Sequence, residues 1–211
     1  LVVASVEYLI KQFLTPDKKQ LDLSNQNIGD KGAIKLTQSK NLCRLKKLIL
    51  PNNNISDEGI TAIANSENFK QLTDLDIYGN VISDDGVKAI AKSPYMSNLK
   101  KLSLYGNLVE DEGAIAIAES QTLSKLKHLF INSNRIRREG IEALQKARPN
   151  YSILSEEIGE INNDLSFRWI IDPIDGTSNF LHGIPHFAIS IGLEHDKEII
   201  CDIIYDPIKD E

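Results

Sequence analysis

Hydrophobic positions return at a fixed interval of 27 residues through the first two-thirds of the chain. In each copy, two apolar residues flank one variable residue, as in Leu48-Ile-Leu50 and Leu75-Asp-Ile77. This alternation with a period of two predicts a short strand whose alternate side chains are buried. The first leucine of the motif marks the register, and it occurs at Leu21, Leu48, Leu75, Leu102 and Leu129.

Each copy continues with a polar bend and a second element. An asparagine follows the strand in four copies, and we expect its short amide to satisfy backbone groups at the bend. A glycine then opens a run with helical spacing of apolar residues, as in 60–64 and 87–91. The asparagines are Asn53, Asn80, Asn107 and Asn134, and the glycines are Gly32, Gly59, Gly86, Gly113 and Gly140.

One strand and one helix cannot bury their apolar faces alone, so successive copies are expected to stack on one another. The predicted fold class is therefore α/β, with a solenoid of five 27-residue strand–helix repeats over residues 18–146. Residues 1–17 are predicted to form an N-terminal capping helix, because an apolar stripe runs through 2–14. That stripe consists of Val2, Val3, Val6, Leu9, Ile10 and Phe13.

The repeated pattern L-x-x-L-x-L-x-x-N-x-I resembles the leucine-rich repeat, and its length is similar to that of the ribonuclease-inhibitor-like class. The resemblance implies that the strands line a concave face and that this face binds a protein ligand. Aromatic residues are favoured at the centres of such interfaces. The expected protein-binding residues are Asp76, Tyr78, Tyr105, Phe130 and Asn132. The alternative is that these are ordinary solvated strand positions.

Residues 147–211 differ in charge and in pattern. They carry 4 Lys and Arg against 13 Asp and Glu, whereas residues 1–146 carry 20 against 17. Such a strongly acidic segment suits divalent cations better than nucleic acid. Within it, Trp169–Asp172 is predicted to be a buried strand that ends at a carboxylate, and Pro173 is predicted to break the ladder.

Chemistry in this segment is concentrated just after that strand. Asp175 to Asn179 has the composition of a helix N-terminus. Two carboxylates three residues apart, Asp172 and Asp175, can converge on hard divalent cations, and Glu156 could add an oxygen ligand. Free N–H groups at a helix start stabilise a phosphate. The residues therefore predict a combined metal and phosphate site.

The run Trp169-Ile-Ile-Asp-Pro-Ile-Asp-Gly-Thr-Ser-Asn-Phe180 is similar to the first signature of the inositol monophosphatase family, and 153–159 is similar to the family's short acidic motif. The resemblance covers residues 147–211 and implies Mg²⁺-dependent hydrolysis of a phosphorylated small molecule. It implies Mg²⁺ ligands, catalytic residues and phosphate-binding residues. The ligands are Glu156, Asp172, the Ile174 carbonyl and Asp175; the catalytic residues are Thr177 and Glu156; the phosphate-binding residues are Gly176, Thr177 and Ser178.

Departures from the family pattern favour an incomplete and inactive site. The segment corresponds to part of the family's length, Ile158 replaces a small hydroxyl residue, and Asp202 replaces a glycine. A charge in a strand is not what a packed core selects. The preferred interpretation is a protein-interaction module that carries this incomplete site. The alternative is a Mg²⁺-dependent phosphate monoester hydrolase that is completed by missing sequence or by another chain.

Three smaller expectations concern the end of the chain and its surroundings. Residues 151–158 are expected to stack on the fifth repeat as an irregular sixth strand, and 187–193 is expected to form a hairpin with 199–205. Cys43 and Cys201 are expected to be reduced core thiols of a cytoplasmic protein. Because no apolar stretch approaches the ~20 residues that a bilayer needs, no membrane span is predicted.

Overall fold

The computed structural model of the chain describes residues 5–147 in full. Beyond them it describes the backbone of five strands, at 153–155, 159–161, 167–175, 188–195 and 198–205. The chain forms two compact units, residues 1–161 and residues 162–211. The first unit contains the repeats, and the second contains the signature run.

The first unit contains a parallel five-stranded sheet, whose strands follow one another in the order of the sequence. Every register pair joins residues 27 positions apart, as Leu21 pairs with Leu48 and Leu102 pairs with Leu129. The predicted strand motif is therefore confirmed in all five copies. The strands are β1 (Gln20–Asp22), β2 (Lys47–Ile49), β3 (Asp74–Asp76), β4 (Lys101–Ser103) and β5 (His128–Phe130).

Helices alternate with these strands, and each helix from the second onward packs against the next one along the chain. Three 3₁₀ helices lead into β2, β3 and β4, and they span Lys40–Leu42, Glu67–Phe69 and Pro94–Met96. The α-helices are α1 (Val6–Phe13), α2 (Gly29–Gln38), α3 (Asp57–Ala64), α4 (Asp84–Lys92), α5 (Asp111–Glu119) and α6 (Arg138–Ala147).

One continuous apolar core lies between the sheet and the helices. Both apolar residues of each strand motif are buried in it, so the predicted alternation is confirmed. The residue between them lies on the outward side of the sheet, where Ser103 is nevertheless only 9% exposed. Its register neighbours Asp76 and Phe130 are both larger, and they cover the small serine between them.

Helix α1 begins after Ser5, whose hydroxyl accepts a hydrogen bond from the Tyr8 backbone N–H and caps the helix. Val6, Leu9 and Ile10 are buried as expected, but Phe13 is 41% exposed, so its predicted burial is wrong. The next residue, Leu14, forms a bridge with Leu21 and packs on the core instead. Val2 and Val3 lie outside the described residues.

A ladder of asparagines follows the strands, as the sequence predicts; Asn53, Asn80 and Asn107 are buried and Asn134 is half-buried. The Asn80 amide donates to the carbonyls of Leu50 and Ile77, while its Oδ1 accepts from the N–H groups of Asn53 and Ile55. Asn53, Asn107 and Asn134 repeat this arrangement. Each amide thus pairs with backbone groups of its own repeat and of the preceding repeat, and these groups would be costly to leave unpaired.

A second ladder, which sequence reasoning missed, consists of aspartates at the starts of the helices. Asp57 Oδ1 accepts from the N–H groups of Ser83 and Gly86 in the following unit, at 2.8 and 3.0 Å. Its other oxygen accepts from the Ser83 hydroxyl at 2.5 Å. Asp30, Asp84 and Asp111, at the same position of the other repeats, each accept from the backbone N–H that corresponds to that of Ser83. The signal was an aspartate two residues before four of the five repeat glycines, Gly32, Gly59, Gly86 and Gly113.

The segment after α6 does not extend the parallel sheet. β6 (Ile153–Ser155) pairs antiparallel with β7 (Gly159–Ile161), and among the described strands the parallel ladder ends at β5. The expected sixth strand at 151–158 therefore does not join the parallel ladder, although β6 contacts β5 and belongs to the same unit as the repeats. A partner strand four residues downstream satisfies the backbone of β6 locally, so pairing with β5 is not required.

The second unit contains a three-stranded antiparallel sheet in the order β10, β9, β8. β8 spans Phe167–Asp175, β9 spans Ala188–His195 and β10 spans Glu198–Tyr205. His195 pairs with Glu198, so two residues separate β9 from β10. The predicted hairpin is confirmed, with boundaries that differ by one or two residues.

Two further observations concern the cysteines and the membrane. Cys43 is exposed and unpaired, so the expectation of a core thiol is wrong for this residue. It lies directly after the first 3₁₀ helix, where Leu42 takes the buried position. The side chain of Cys201 lies outside the described residues. No helix in the described part of the chain is long and apolar enough to cross a bilayer.

Candidate functional site

The outward face of the five-stranded sheet presents its residues in columns, because the register repeats every 27 residues. One column runs along the last residue of each strand, from Asp76 through Ser103 to Phe130. The backbone ladder continues beyond the strands, since Gly79 N–H donates to the Tyr105 carbonyl at 2.9 Å. A second column therefore contains Ser24, Pro51, Tyr78, Tyr105 and Asn132.

Three exposed aromatic residues form the aromatic strip, which we define as Tyr78, Tyr105 and Phe130. They are 36%, 43% and 39% exposed. The rings of Tyr78 and Tyr105 lie 5.5 Å apart between centroids, with their planes tilted by 55°. This separation and tilt fall within the favourable range for aromatic pairs, so each ring restricts the other while one side of both stays in water.

Polar contacts hold the strip on the side of the first repeats. The Asn52 amide donates to the Tyr78 hydroxyl at 3.3 Å and to Asn25 Oδ1 at 3.0 Å. Asp76 is half-buried, and its carboxylate accepts from the Tyr78 backbone N–H at 3.3 Å. Asn132 is also half-buried, and its carbonyl accepts from the Gly106 N–H at 3.1 Å. The rings are therefore the exposed part of the surface, and their polar neighbours orient them.

The tyrosines are each followed by a glycine for a conformational reason. Gly79 and Gly106 have φ values of +66° and +63°, in the left-handed region that glycine adopts without steric cost. Gly79 also lies against the side chain of Asn52, so a Cβ there would meet the amide oxygen.

At the far end of the strip, the Lys101 ammonium lies 5.0 Å from the centroid of the Phe130 ring. A cation over an aromatic face is attracted by the ring quadrupole. Lys101 starts β4 and Phe130 ends β5, so this contact crosses adjacent strands. Sequence reasoning missed Lys101, because only the register brings these two residues together.

Shifted pKa values occur in surface pairs of the described region. A hydrogen bond from Lys70 lowers the pKa of Glu67, and the same contact raises the pKa of Lys70. A hydrogen bond from Lys88, on α4, lowers the pKa of Glu112, on α5. The Thr15 hydroxyl lowers the pKa of Asp17. All of these groups are in contact with solvent, where such pairs contribute little to stability.

The predicted metal and phosphate residues fall in the second unit or just before it. Asp172, Ile174 and Asp175 lie in β8, whose backbone is described. Glu156, Gly176, Thr177 and Ser178 lie outside the described residues. The prediction that the strand ends at Asp172 is wrong, because β8 continues to Asp175. Proline lacks an N–H but its fixed φ suits an extended chain, so it is tolerated at a bulge.

The register of β8 is irregular at Pro173, as expected. Asp172 pairs with Ser190 and Asp175 pairs with Ala188, so three steps along β8 match two steps along β9. The extra residue is a β-bulge. In a regular strand, positions three apart lie on opposite faces, whereas 190 and 188 share a face. The bulge therefore brings positions 172 and 175 into register with one face of the sheet.

Within the described residues, no three His, Cys, Asp or Glu side chains converge as a metal site.

Comparison with known proteins identifies both parts of the chain. The leucine-rich repeat profile matches residues 19–36, 41–64, 71–91 and 95–118. The inositol monophosphatase family profile matches residues 116–211. The repeat architecture continues past both boundaries, because β5 pairs in the same parallel register and α6 packs on α5.

Two relatives illustrate the second match. The inositol-1-monophosphatase of Rhizobium meliloti is 56% identical over 71 residues, which are 33% of this chain and 27% of that protein. The Nus factor SuhB of Haemophilus influenzae is 43% identical over 71 residues, with the same shares. The chain thus spans about a quarter of the length of these curated relatives.

Two solved structures cover similar shares. The extragenic suppressor protein suhB from Bartonella henselae is 51% identical, with a TM-score of 0.26 over 35% of this chain and 29% of that chain. The inositol monophosphatase from Anabaena is 42% identical, with the same TM-score and the same shares.

Residues 19–118 are thus similar to leucine-rich repeats, and the structure gives them a parallel sheet with a constant 27-residue register. The repeats are followed by a segment of the inositol monophosphatase type.

Proposed function

We propose that the chain is a protein-interaction module of the leucine-rich-repeat type, in which a solenoid of 27-residue units presents the aromatic strip on its concave face. The observation that carries the proposal is the exposed pair of Tyr78 and Tyr105, whose rings lie 5.5 Å apart. The site of partner contact comprises the strip with Asp76 and Asn132 at its borders.

The energetic argument concerns water. Each residue of the strip is between 36% and 43% exposed, and a partner would remove the apolar part of this area from water. Ring pairing and the polar contacts around Tyr78 restrict rotamers before binding, so less entropy is lost on association. Rigid aromatic residues of this kind supply most of the affinity at interface hot spots.

The test is site-specific photocrosslinking. A benzophenone amino acid replaces Tyr105 in the 211-residue chain, and in a control it replaces Tyr8, which is 58% exposed on α1 and outside the strip. We expect a protein adduct from position 105 and none from position 8. We also expect Phe130→Ser to reduce the yield about tenfold, as for an interface anchor worth about 1–2 kcal/mol.

The proposal fails if both positions give the same adducts, or if Phe130→Ser leaves the yield unchanged. Tyr8→Ser is the matched control for the loss of one exposed aromatic ring.

A second candidate function is favoured by the match of 116–211 to the inositol monophosphatase family. It is Mg²⁺-dependent hydrolysis of a phosphate monoester of the inositol monophosphate type, completed by sequence outside these 211 residues or by another chain. The β8 bulge supports it, because positions 172 and 175 match residues that share one face of β9. Two carboxylates and the Ile174 carbonyl are the oxygen donors that Mg²⁺ prefers.

In that function, Asp172, Asp175, Glu156 and the Ile174 carbonyl would hold Mg²⁺. The metal would polarise the phosphate and acidify the attacking water. Thr177 and Glu156 would orient this water and accept its proton, and the Gly176, Thr177 and Ser178 N–H groups would hold the phosphate. We expect the 211 residues alone to be inactive, because they span about a quarter of the relatives' length.

The test is phosphate release from inositol monophosphate with and without Mg²⁺. We expect no turnover above the buffer rate for the 211-residue protein. Mg²⁺-dependent turnover that disappears in Asp172→Asn and persists in Asp196→Asn, which lies between β9 and β10, would establish the second candidate instead.

A further inference from the structure

Positive charge is concentrated where the chain leads into the strands. We define the basic edge as residues 15–20, 39–47, 65–74, 92–101 and 119–128, the segments that precede or start β1 to β5. They contain twelve lysine and arginine residues against four aspartate and glutamate residues, although the whole chain has a net charge of −6. Because the strands are parallel and in register, these segments lie along one edge of the sheet.

The backbone ladder arranges part of this charge in a row. Lys46 N–H donates to the Lys19 carbonyl and Lys127 N–H donates to the Lys100 carbonyl, both at 2.8 Å. Neighbouring strands are about 4.8 Å apart, so the two lysine side chains of each pair start from backbone positions at that spacing. Thr73 occupies the position between the two pairs, where its N–H donates to the Lys46 carbonyl at 2.8 Å.

Most of this charge is not neutralised within the described region. Lys19 lies 3.7 Å from Asp17, and Lys70 lies 2.7 Å from Glu67. Lys46, Lys100 and Lys127 are exposed and form no ion pair with any described residue. Rows of unpaired like charges raise the local potential, and an anionic partner would lower it.

The edge also contains a cavity. A pocket of about 310 Å³ lies between the segments that lead into β1 and β2, and its walls include Lys18, Lys19, Lys40 and Arg44 with Asp17 as the one carboxylate. Exposed Cys43 is also in its wall. A concave site lined by four cations focuses the field, so it can hold a carboxylate more firmly than a flat surface can.

The basic edge and the aromatic strip are continuous. Lys101 belongs to the edge, and its ammonium lies 5.0 Å from the Phe130 ring centroid. A partner seated on the strip would therefore meet the edge without a break between the two surfaces.

We infer that the basic edge binds an acidic polypeptide whose aromatic or apolar side chains rest on the strip, an inference that rests on the proposed function. The sheet face disfavours a nucleic acid, because the carboxylate of Asp76, which accepts from the Tyr78 N–H, lies beside the strip and would repel phosphates. The rings of Tyr78 and Tyr105 are tilted by 55° against each other, whereas single-stranded nucleic acid stacks on open ring faces. A polypeptide can place acidic side chains against the basic edge and uncharged side chains against the strip beside Asp76.

The test measures fluorescence anisotropy of a labelled glutamate–tyrosine copolymer with the 211-residue chain. The edge variant is Lys46→Glu/Lys100→Glu/Lys127→Glu. The control variant, Lys11→Glu/Lys31→Glu/Lys146→Glu, changes the net charge equally at exposed helix positions. We expect the edge variant to bind the copolymer at least about tenfold more weakly at low salt, and the control to change about twofold or less. High salt screens these charges, so it should reduce the difference in copolymer affinity between the edge variant and the control variant.

A footprint locates the contact. In a Cys201→Ser background, we expect the bound copolymer to slow alkylation of Cys43 by neutral iodoacetamide, and the edge variant to lose this protection. Equal losses in the edge and control variants would overturn the inference, as would tighter binding of an oligouridylate of equal charge. Unchanged binding in the edge variant would also overturn it.

The two proposals fail separately. If position 105 still crosslinks a partner while the edge variant keeps full affinity, the strip stands and the acidic partner does not. If the edge variant loses the copolymer while position 105 yields no specific adduct, the edge stands and the strip does not.

Discussion

The backbone N–H of Gly86 donates to Oδ1 of Asp57 at 3.0 Å, and this hydrogen bond joins two consecutive repeats. A Cβ at Gly86 would lie 2.5 Å from the same oxygen, which is closer than such atoms approach. The aspartate and the glycine therefore specify each other across 29 residues. The pairs of Asp30 with Gly59 and Asp111 with Gly140 make the same bond.

Asp57→Ala is expected to destabilise the protein by about 2 kcal/mol, because it removes one charged acceptor from three donors. Asp85→Ala is the control, since Asp85 is also in the first turn of a helix but is exposed. Urea unfolding followed by circular dichroism measures both. Equal destabilisation by the two variants would mean that the helix dipole, and not the bridge between units, is responsible.

Gly86→Ala is expected to cost about 2–3 kcal/mol, because the added methyl overlaps the Asp57 carboxylate and must displace it. The combination with Asp57→Ala is expected to cost less than the sum of the single changes, since the alanine at 57 removes the overlapping oxygen. A double-mutant cycle in urea measures this coupling. Strict additivity would contradict the direct contact.

Asn80→Ala is expected to destabilise the protein by about 2–4 kcal/mol, because it removes the acceptor of the Asn53 and Ile55 N–H groups and the donor to the Leu50 carbonyl. Asn80 is only 5% exposed. Asn41→Ala, at an exposed position, is expected to change the unfolding free energy by about 0.5 kcal/mol or less. Similar values for the two variants would show that the asparagine ladder contributes nothing specific.

The aromatic strip is expected to matter for binding and not for folding. Tyr78→Ser/Tyr105→Ser/Phe130→Ser should lower the unfolding free energy by only about 1–2 kcal/mol, because all three residues lie outside the core and are 36–43% exposed. Phe69→Ala is the comparison, since Phe69 is fully buried and should cost about 3–5 kcal/mol. Thermal unfolding would refute the expectation if the strip variant were as unstable as the core variant.

The contact between α4 and α5 predicts a pH dependence. The hydrogen bond from Lys88 lowers the pKa of Glu112, so the contact stabilises the fold above the ordinary glutamate value of about 4.3. That contribution is lost as the pH falls through the lowered pKa. Carbon-detected NMR should place the Glu112 midpoint below its ordinary value and return it upward in Lys88→Met. Lys92→Met, from the same helix, should leave the midpoint in place.

The local pattern of apolar and polar residues was sufficient to predict the strands and helices of the repeats. Leu21, Leu48 and the leucines that follow each occupy a strand and a buried position, because period-two alternation has one solution in a half-buried strand. The asparagines were predictable for the same reason, since a short amide at a bend has nearby backbone partners. In the second unit, the hairpin and the irregular register at Pro173 followed from chain-local chemistry.

The tertiary structure decided which residues meet across units. The partners of Asp57 lie 26 and 29 residues away, and no local pattern specifies which side chain fills that space. The low exposure of Ser103, the exposure of Phe13 and the contact of Lys101 with Phe130 all depend on residues that are distant in the sequence and close in the fold. The sequence by itself determined a repeated strand–helix unit and a phosphate-site signature. Stacking of the units decided the hydrogen-bond ladders, the aromatic strip and the basic edge, because each of these is assembled from residues one repeat apart.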